Sequence, residues 1–406
     1  MDTKKVKGDE EIVSIFHDVF DRKNTHSVKW DHVDQLFGGE ALLPMWVADM
    51  DFKAPQPVLD ALGERIAHGI FGYSKATEQT REAITTWLQR KHGWTVDPEW
   101  LVFTAGIVPA IAAAIQTYTK EGDGILLQSP VYYPFSNLIT KNKRTLYDSP
   151  LQFDGQQYTI DFRDLEEKMA SGHIKMMLLC SPHNPIGRVW RKDELTQLAK
   201  LCIQYEVLLF ADEIHHDLVY SNYEHTVVSS LNEEIEQRTL TGIAPSKTFN
   251  LAGLQFSALI IPNKKRRQLF IEHLEKNGFS SPGALGIVAA EAAYQHGEAW
   301  LNELLLYLEE NIAYLKTFIA ERLPEITVIE PEGTYLVWLD CRKLSIDFKA
   351  LEAVMQKEAG LALDEGYIFG TNGQGFERMN IACPLETLKE GLNRLETAVN
   401  RIKTRL

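Results

Sequence analysis

KMMLLCSPHNPIGRVWRKDELTQLAKLCIQYEVLLFADEI (residues 175–214) sets two short apolar runs on either side of one amphipathic stretch of helical period. Runs this apolar on both faces belong in a sheet covered by helices on each side, and a strand, helix, strand succession makes the two strands parallel neighbours. The alternation continues in both directions. LVFTAG (101–106) leads into VPAIAAAIQTYT, GILLQSP (124–130) follows, and FSALIIP (256–262) closes the series. The expectation is an α/β fold on a largely parallel sheet.

After Ser281 the character changes to Ala-rich and then Leu/Glu-rich helical periodicity, running from Gly283 to Leu323 with a break at His296-Gly297. Beyond it, ITVIEP, TYLVWLD and RMNIACP are strand candidates separated by helices, which predicts a smaller α+β domain. The first 50 residues carry Trp30 and Trp46 without clear periodicity and are expected to form an arm or to join the C-terminal part. The expected division is residues 1–52 as arm and part of the small domain, 53–285 as the large domain, and 286–406 as connecting helix and small domain.

The 406 residues carry 42 Lys+Arg against 56 Asp+Glu, a net charge of −14, and are 45% hydrophobic. That composition excludes a disordered chain, a collagen-like repeat and a small disulfide scaffold. The acidic balance argues against nucleic acid as a partner, since phosphates need clustered Lys and Arg. The one basic run, Lys264 to Arg267, is expected to open a helix with its charges in water. The charged opening MDTKKVKGDEEIV and the lack of any run of roughly 18 to 20 apolar residues predict a cytoplasmic protein without a membrane partner. Cys180, Cys202, Cys341 and Cys383 form no CxxC pair, so buried reduced thiols are expected and a metal site is not.

Three strand ends carry chemistry. Lys247, in IAPSKTFNLAGLQFS, stands among small and apolar residues, where burial would disfavour the ammonium form and leave an amine able to attack a carbonyl; by itself a Ser-Lys pair reads more simply as a surface lysine in a loop, and the residues upstream reverse that preference. Asp212, in VLLFADEI, ends a buried strand, the edge at which open α/β sheets place ligands, and suits a protonated ring nitrogen; a turn cap is its simpler use. Asn184, in SPHNPIG, offers an amide to a phenolate oxygen, although Asn-Pro alone signals only a turn. A lysine for an aldehyde, a carboxylate for a ring nitrogen and an amide for a phenolate together fit pyridoxal phosphate. TAGIVPA adds a glycine turn entering a helix, so that Gly106 and the amides of Ile107 and Val108 can meet the phosphate, with Ser246 as a further donor. Tyr132 can stack on the ring, or equally be a core tyrosine.

The order TAGIVPA, PVYYPF, SPHNPIGRVW, ADEIHHDLVY, SKTFNLAGLQ and RMNIACP resembles fold-type I pyridoxal phosphate enzymes of the class I/II aminotransferase superfamily. LPMWVADMDF (43–52), FGYS (71–74) and APSKTFNLAGLQ further resemble the MalY/PatB subfamily of cystathionine β-lyases, and the likeness covers nearly the whole chain. It implies a mainly parallel seven-stranded sheet between helices in the large domain. It also implies that Lys247 bonds the cofactor, Asp212 meets the pyridine nitrogen, Asn184 the phenolate, and that Tyr132 stacks on the ring. Arg378, in FERMNIACP, matches the arginine that takes the substrate carboxylate in a bidentate fork, with Trp46, Val47 and Ala48 beside it. Tyr73 matches a tyrosine that reaches the phosphate of a neighbouring subunit, which implies a homodimer with active sites at the interface.

Two positions depart from the aminotransferase pattern: His215 and Gln255 stand where many transaminases have a tyrosine and an arginine on the cofactor. The implied activity is β-elimination on a sulfur amino acid, cystathionine giving homocysteine, pyruvate and ammonia, with cystine, cysteine or S-alkyl cysteines as further substrates. An aminotransferase is the rival within the superfamily, and a cofactor-binding regulator with little catalysis is the rival outside it.

Overall fold

The computed structural model describes residues 15–404. Its central sheet has seven strands in the spatial order Leu101–Thr104, Ser257–Ile260, Thr239–Ile243, Leu208–Asp212, Ile174–Cys180, Gly124–Leu127 and Thr145–Asp148. Ser257–Ile260 runs antiparallel to both of its neighbours and the remaining pairings are parallel, the mainly parallel sheet expected.

The stretch 175–214 builds the middle of this sheet. Ile174–Cys180 and Leu208–Asp212 pair in parallel register, Cys180 opposite Asp212, and helix Lys192–Gln204 crosses between them. The helix starts where the Glu194 carboxylate accepts the Arg191 amide at 2.8 Å, and Leu195, Leu198, Ala199 and Cys202 form its buried stripe. Alternation along the strand then divides the core. Met177 and Leu179 pack on the side of that helix, whereas Met176 and Leu178 pack against Ile111 and Ile115 of helix Ile107–Tyr118 on the other face. Each such side chain contributes roughly 1.5–3 kcal/mol by leaving water.

Two strands stand outside the five apolar runs of the sequence. Thr145–Asp148 is a partly exposed edge strand, where no apolar alternation is required. Thr239–Ile243 is fully buried, but it reads TLTGI, and its threonines mask the pattern of a central strand.

Helices Ala284–His296 and Glu298–Arg322 follow, broken at Gly297 as the periodicity predicts. Beyond them a four-stranded sheet takes the order Thr327–Val328, Leu336–Asp340, Phe376–Asn380, Asp364–Glu365. The N-terminal strand Leu43–Pro44 pairs in parallel with Leu361–Ala362, and Asn380 Nδ2 donates to the carbonyls of Val47 and Asp49 at 2.7 Å each. The segment 43–52 is thereby laid across the open edge of the crevice.

The basic run does open helix Lys264–Lys276, capped by Asn263. Its two arginines are not simply solvated: Arg266 donates to the Gln237 carbonyl at 2.7 Å, and Arg267 to those of Ile261 and Pro262 at 2.8 and 2.9 Å. Carbonyls at the end of helix Glu233–Arg238 and just past strand Ser257–Ile260 use the guanidinium groups as donors. Among the described residues no helix is long and apolar enough to cross a membrane.

Candidate active site

At the carboxyl ends of the parallel strands a cavity brings together Lys247, Asp212, Asn184, Arg378, Tyr132 and His215. Trp46, Val47 and Ala48 close it from the arm, and Ile107 closes it from a helix N-terminus. Segments more than 300 residues apart in sequence therefore share one crevice, the position at which open α/β sheets bind ligands.

Lys247 lies on the short helix Pro245–Thr248, directly after Thr239–Ile243. Its Nζ donates to the Ala48 carbonyl at 2.6 Å, and burial lowers its pKa to about 8 against the pull of Asp49 and Asp212. Asp212, the last residue of its strand, is 3% exposed and accepts the Ile214 amide at 3.2 Å. Burial raises its pKa to about 7, with the Ile214 bond and the Lys247 charge opposing. A carboxylate this desolvated is short of a cationic partner.

Asn184 is oriented from two directions. Its Oδ1 accepts from Arg378 Nη1 at 2.8 Å, and its backbone amide donates to the Cys180 sulfur at 3.4 Å. With Oδ1 occupied, the Nδ2 donor remains for a ligand oxygen. Arg378 Nη2 donates to the Trp46 carbonyl at 3.0 Å and to the Asp364 carboxylate. Its Nε is buried without a hydrogen-bond partner among the described residues. The His215 ring is buried and held neutral, its pKa driven well down by burial and by the charges of Lys247 and Arg378.

The helix Ile107–Tyr118 begins at the cavity, and Gly106 at its N-cap has φ +145° and ψ 163°, a conformation closed to L side chains. Its first amides point outward from the positive end of the helix dipole. Gly106, Val108 and Ser246 flank the cavity, and Ile107 alone of this group lines it. Tyr73 lies on the coil between helices Gln56–His68 and Glu78–His92, fully exposed and outside its own chain's cavity. Tyr133, Cys180, Ile214 and Asp364 also line the site and were not singled out from the sequence. Tyr133 and Ile214 are next to or near candidates that were. Asp364 carries no local signal, because it arrives through the pairing of a two-residue strand with Arg378.

Residues 47–395 match the family model described as aminotransferase class I and II. The chain belongs to this family. Within it, the chain is 42% identical over 380 residues to cystathionine beta-lyase PatB of Bacillus subtilis (strain 168), covering 94% of this chain and 98% of that protein. It is 34% identical over 390 residues to protein MalY of Escherichia coli (strain K12), covering 96% and 99%. Among solved structures it is similar to cystalysin from Treponema denticola, which contains a pyridoxal 5'-phosphate cofactor, with a TM-score of 0.92, 38% identity, and coverage of 95% and 98%.

Proposed function

We propose that this family member catalyses pyridoxal phosphate-dependent β-elimination on sulfur-containing amino acids, releasing a thiol, pyruvate and ammonia. The observation that carries the reading is the convergence of Lys247, Asp212, Asn184 and Arg378 on one cavity, in a chain 42% identical to a cystathionine β-lyase along nearly its whole length.

The cavity's donor set fits that cofactor. Asp212 is a buried carboxylate without a direct ion pair among the described residues, Asn184 has a free amide donor, Lys247 is a buried amine, and a glycine-led helix N-terminus stands beside them. Bound pyridoxal phosphate supplies an aldehyde that captures amino groups and a ring that takes up electron density when the substrate's α-proton leaves.

The chain's own groups do the rest. Lys247 would hold the aldehyde and would take the α-proton from the substrate's Cα, and its lowered pKa suits a base near neutral pH. Asp212 keeps a proton on the ring nitrogen, and Asn184 donates to the ring's phenolate oxygen. Arg378 takes the α-carboxylate, and its buried, unpartnered Nε is a donor available for it. Tyr132 would cover the ring face, while Ile107, Val108, Gly106 and Ser246 would hold the phosphate. Neutral His215 adds no charge beside the ring. Trp46, Val47 and Ala48 exclude water from above the reacting carbon.

The proposed assembly is a homodimer in which Tyr73 reaches the phosphate of the partner's site. Its exposure, together with that of Ile66, Ile70 and Phe71 nearby, supports this reading. The cytoplasm is the proposed setting, supported by four buried free thiols. A substrate panel of cystathionine, cystine, cysteine and S-alkyl cysteines, scored by pyruvate release, tests the reaction. Transfer of the amino group to a keto acid without pyruvate or thiol would replace it with a transaminase.

A further inference from the structure

Behind the cavity, around the strand-end loop 213–217, the half-buried His92 meets two buried imidazoles, His216 and His225, and two buried carboxylates, Glu213 and Asp217. His92 ends helix Glu78–His92, and its Nε2 lies 2.8 Å from Asp217 Oδ1. His216 Nε2 lies 3.1 Å from Asp217 Oδ2. The rings of His92 and His216 have centroids 4.5 Å apart, and the His225 ring is 5.7 Å from that of His92.

We propose that His92, His216 and Asp217 form a binding site for a divalent transition metal of the zinc class. Their ligand atoms all lie within 4.8 Å of one another. Two ligands about 2.0–2.1 Å from a shared tetrahedral zinc stand about 3.3 Å apart, so the observed separations need only small side-chain adjustments. The orientation of His216 is the second observation. Its Nε2 meets only the Asp217 carboxylate, at 3.1 Å and off the line of a well-formed hydrogen bond, and its Nδ1 makes no hydrogen bond among the described residues. The ring is 1% exposed. A buried imidazole with Nδ1 unbonded and Nε2 beside a carboxylate, off the line of a well-formed hydrogen bond, is disposed as a ligand beside another ligand.

The surroundings complete the site. Asp217 is fixed by Trp87 Nε1 at 3.0 Å and Thr248 Oγ1 at 2.9 Å, the outer contacts that orient a ligating carboxylate. His225 Nε2 meets the Glu213 carboxylate at 3.0 Å, and its buried Nδ1 makes no hydrogen bond, leaving a further nitrogen donor beside the cluster. A surface cleft lined by His92, His225, Arg191, Asn222 and Tyr223 gives access from solvent. Nitrogen and oxygen donors without thiolate suit Zn, Co, Ni or Cu better than Mg or Ca. Through Thr248 the ion would brace the short helix that carries Lys247, and through His216 the turn that carries His215.

The test uses the cofactor-loaded enzyme, stripped with a chelator and titrated with Zn2+ alone and with Co2+ alone, without substrate. The expected result is one tight equivalent per chain, ligand-field absorption from bound Co2+, and a rise in Tm with Zn2+. Both His92→Gln and His216→Gln should weaken Zn2+ binding by at least about 100-fold while keeping the cofactor's absorption, which reports an intact fold. Equal, weak Zn2+ binding by the wild-type protein and both variants would overturn the site and leave a hydrogen-bonded network only. His92 lies at a helix end facing the cleft, so its variant remains informative if His216→Gln fails to fold.

Discussion

Asp364 stands directly opposite Arg378 across an antiparallel strand pair, and its buried carboxylate accepts a hydrogen bond from the guanidinium assigned to the substrate's carboxylate. Burial raises the Asp364 pKa while the Arg378 charge lowers it, so the pair is held in a setting where each charge depends on the other. In the proposed reaction an incoming carboxylate would share the guanidinium with one already on Nη2.

Replacing the Asp364 carboxylate separates binding from stability. Asp364→Asn keeps an acceptor for Arg378 and removes the charge, so KM for cystathionine should fall several-fold with kcat changed less. Asp364→Ala leaves a buried guanidinium without its anion and should cost about 3–5 kcal/mol, read from the urea midpoint. An unchanged KM in Asp364→Asn would show that the carboxylate does not compete with substrate.

The buried amine of Lys247 gives the cofactor-free protein a defined pH response. Its pKa falls from 10.5 to about 8 on folding, so between those values the unfolded chain binds the extra proton and stability rises with pH. Below about 8 both states are protonated and the full cost of burying the ammonium remains. Lys247→Met should therefore stabilise the cofactor-free protein at pH 7 by up to about 3 kcal/mol, an advantage that shrinks as pH rises toward 10. Urea titrations at the two pH values measure it, and the same variant should release no pyruvate above background.

Much of the site was legible because strand ends are legible. Asp212 and Asn184 follow apolar runs that can end only at the sheet's edge, and Lys247 follows a strand whose threonines hid it but whose apolar loop did not. What escaped notice arrives through tertiary pairing. Asp364 sits in a strand of two residues, too short for any periodicity, and only its register opposite Arg378 gives it a role. His92 and His216 likewise lie on separate elements with no ligand spacing in the chain, and they meet because helix Glu78–His92 ends beside the turn after Asp212.

Asn250 links the arm to the lysine loop. Its side chain accepts the Met50 amide at 3.0 Å and donates to the carbonyls of Met50 and Phe52 at 2.9 Å each, from a backbone at φ +58°. Asn250→Gly keeps the backbone conformation and loses all three bonds, so the arm that carries Trp46, Val47 and Ala48 should loosen. The expected outcome is a KM raised about tenfold and a stability lower by about 2–4 kcal/mol, at about 1 kcal/mol for each bond lost. Steady-state kinetics and a denaturant midpoint on the same sample check both.

Phe71 and Tyr73 distinguish assembly from catalysis. Phe71 is 58% exposed and Ile70 69%, on the same coil as fully exposed Tyr73, an apolar group that a second copy of the chain would cover. A carboxylate buried there loses its hydration and the apolar area of the ring, even beside Arg65, whose guanidinium lies 5.1 Å from the Phe71 ring centroid, so Phe71→Glu should shift the protein from dimer to monomer in sedimentation and release pyridoxal phosphate with it. Tyr73→Phe removes only a hydroxyl. It should remain dimeric and bind the cofactor several-fold more weakly, because in the proposed dimer the lost hydroxyl is a donor to the phosphate of the neighbouring site. A dimeric Tyr73→Phe protein with wild-type cofactor affinity would place Tyr73 outside that site.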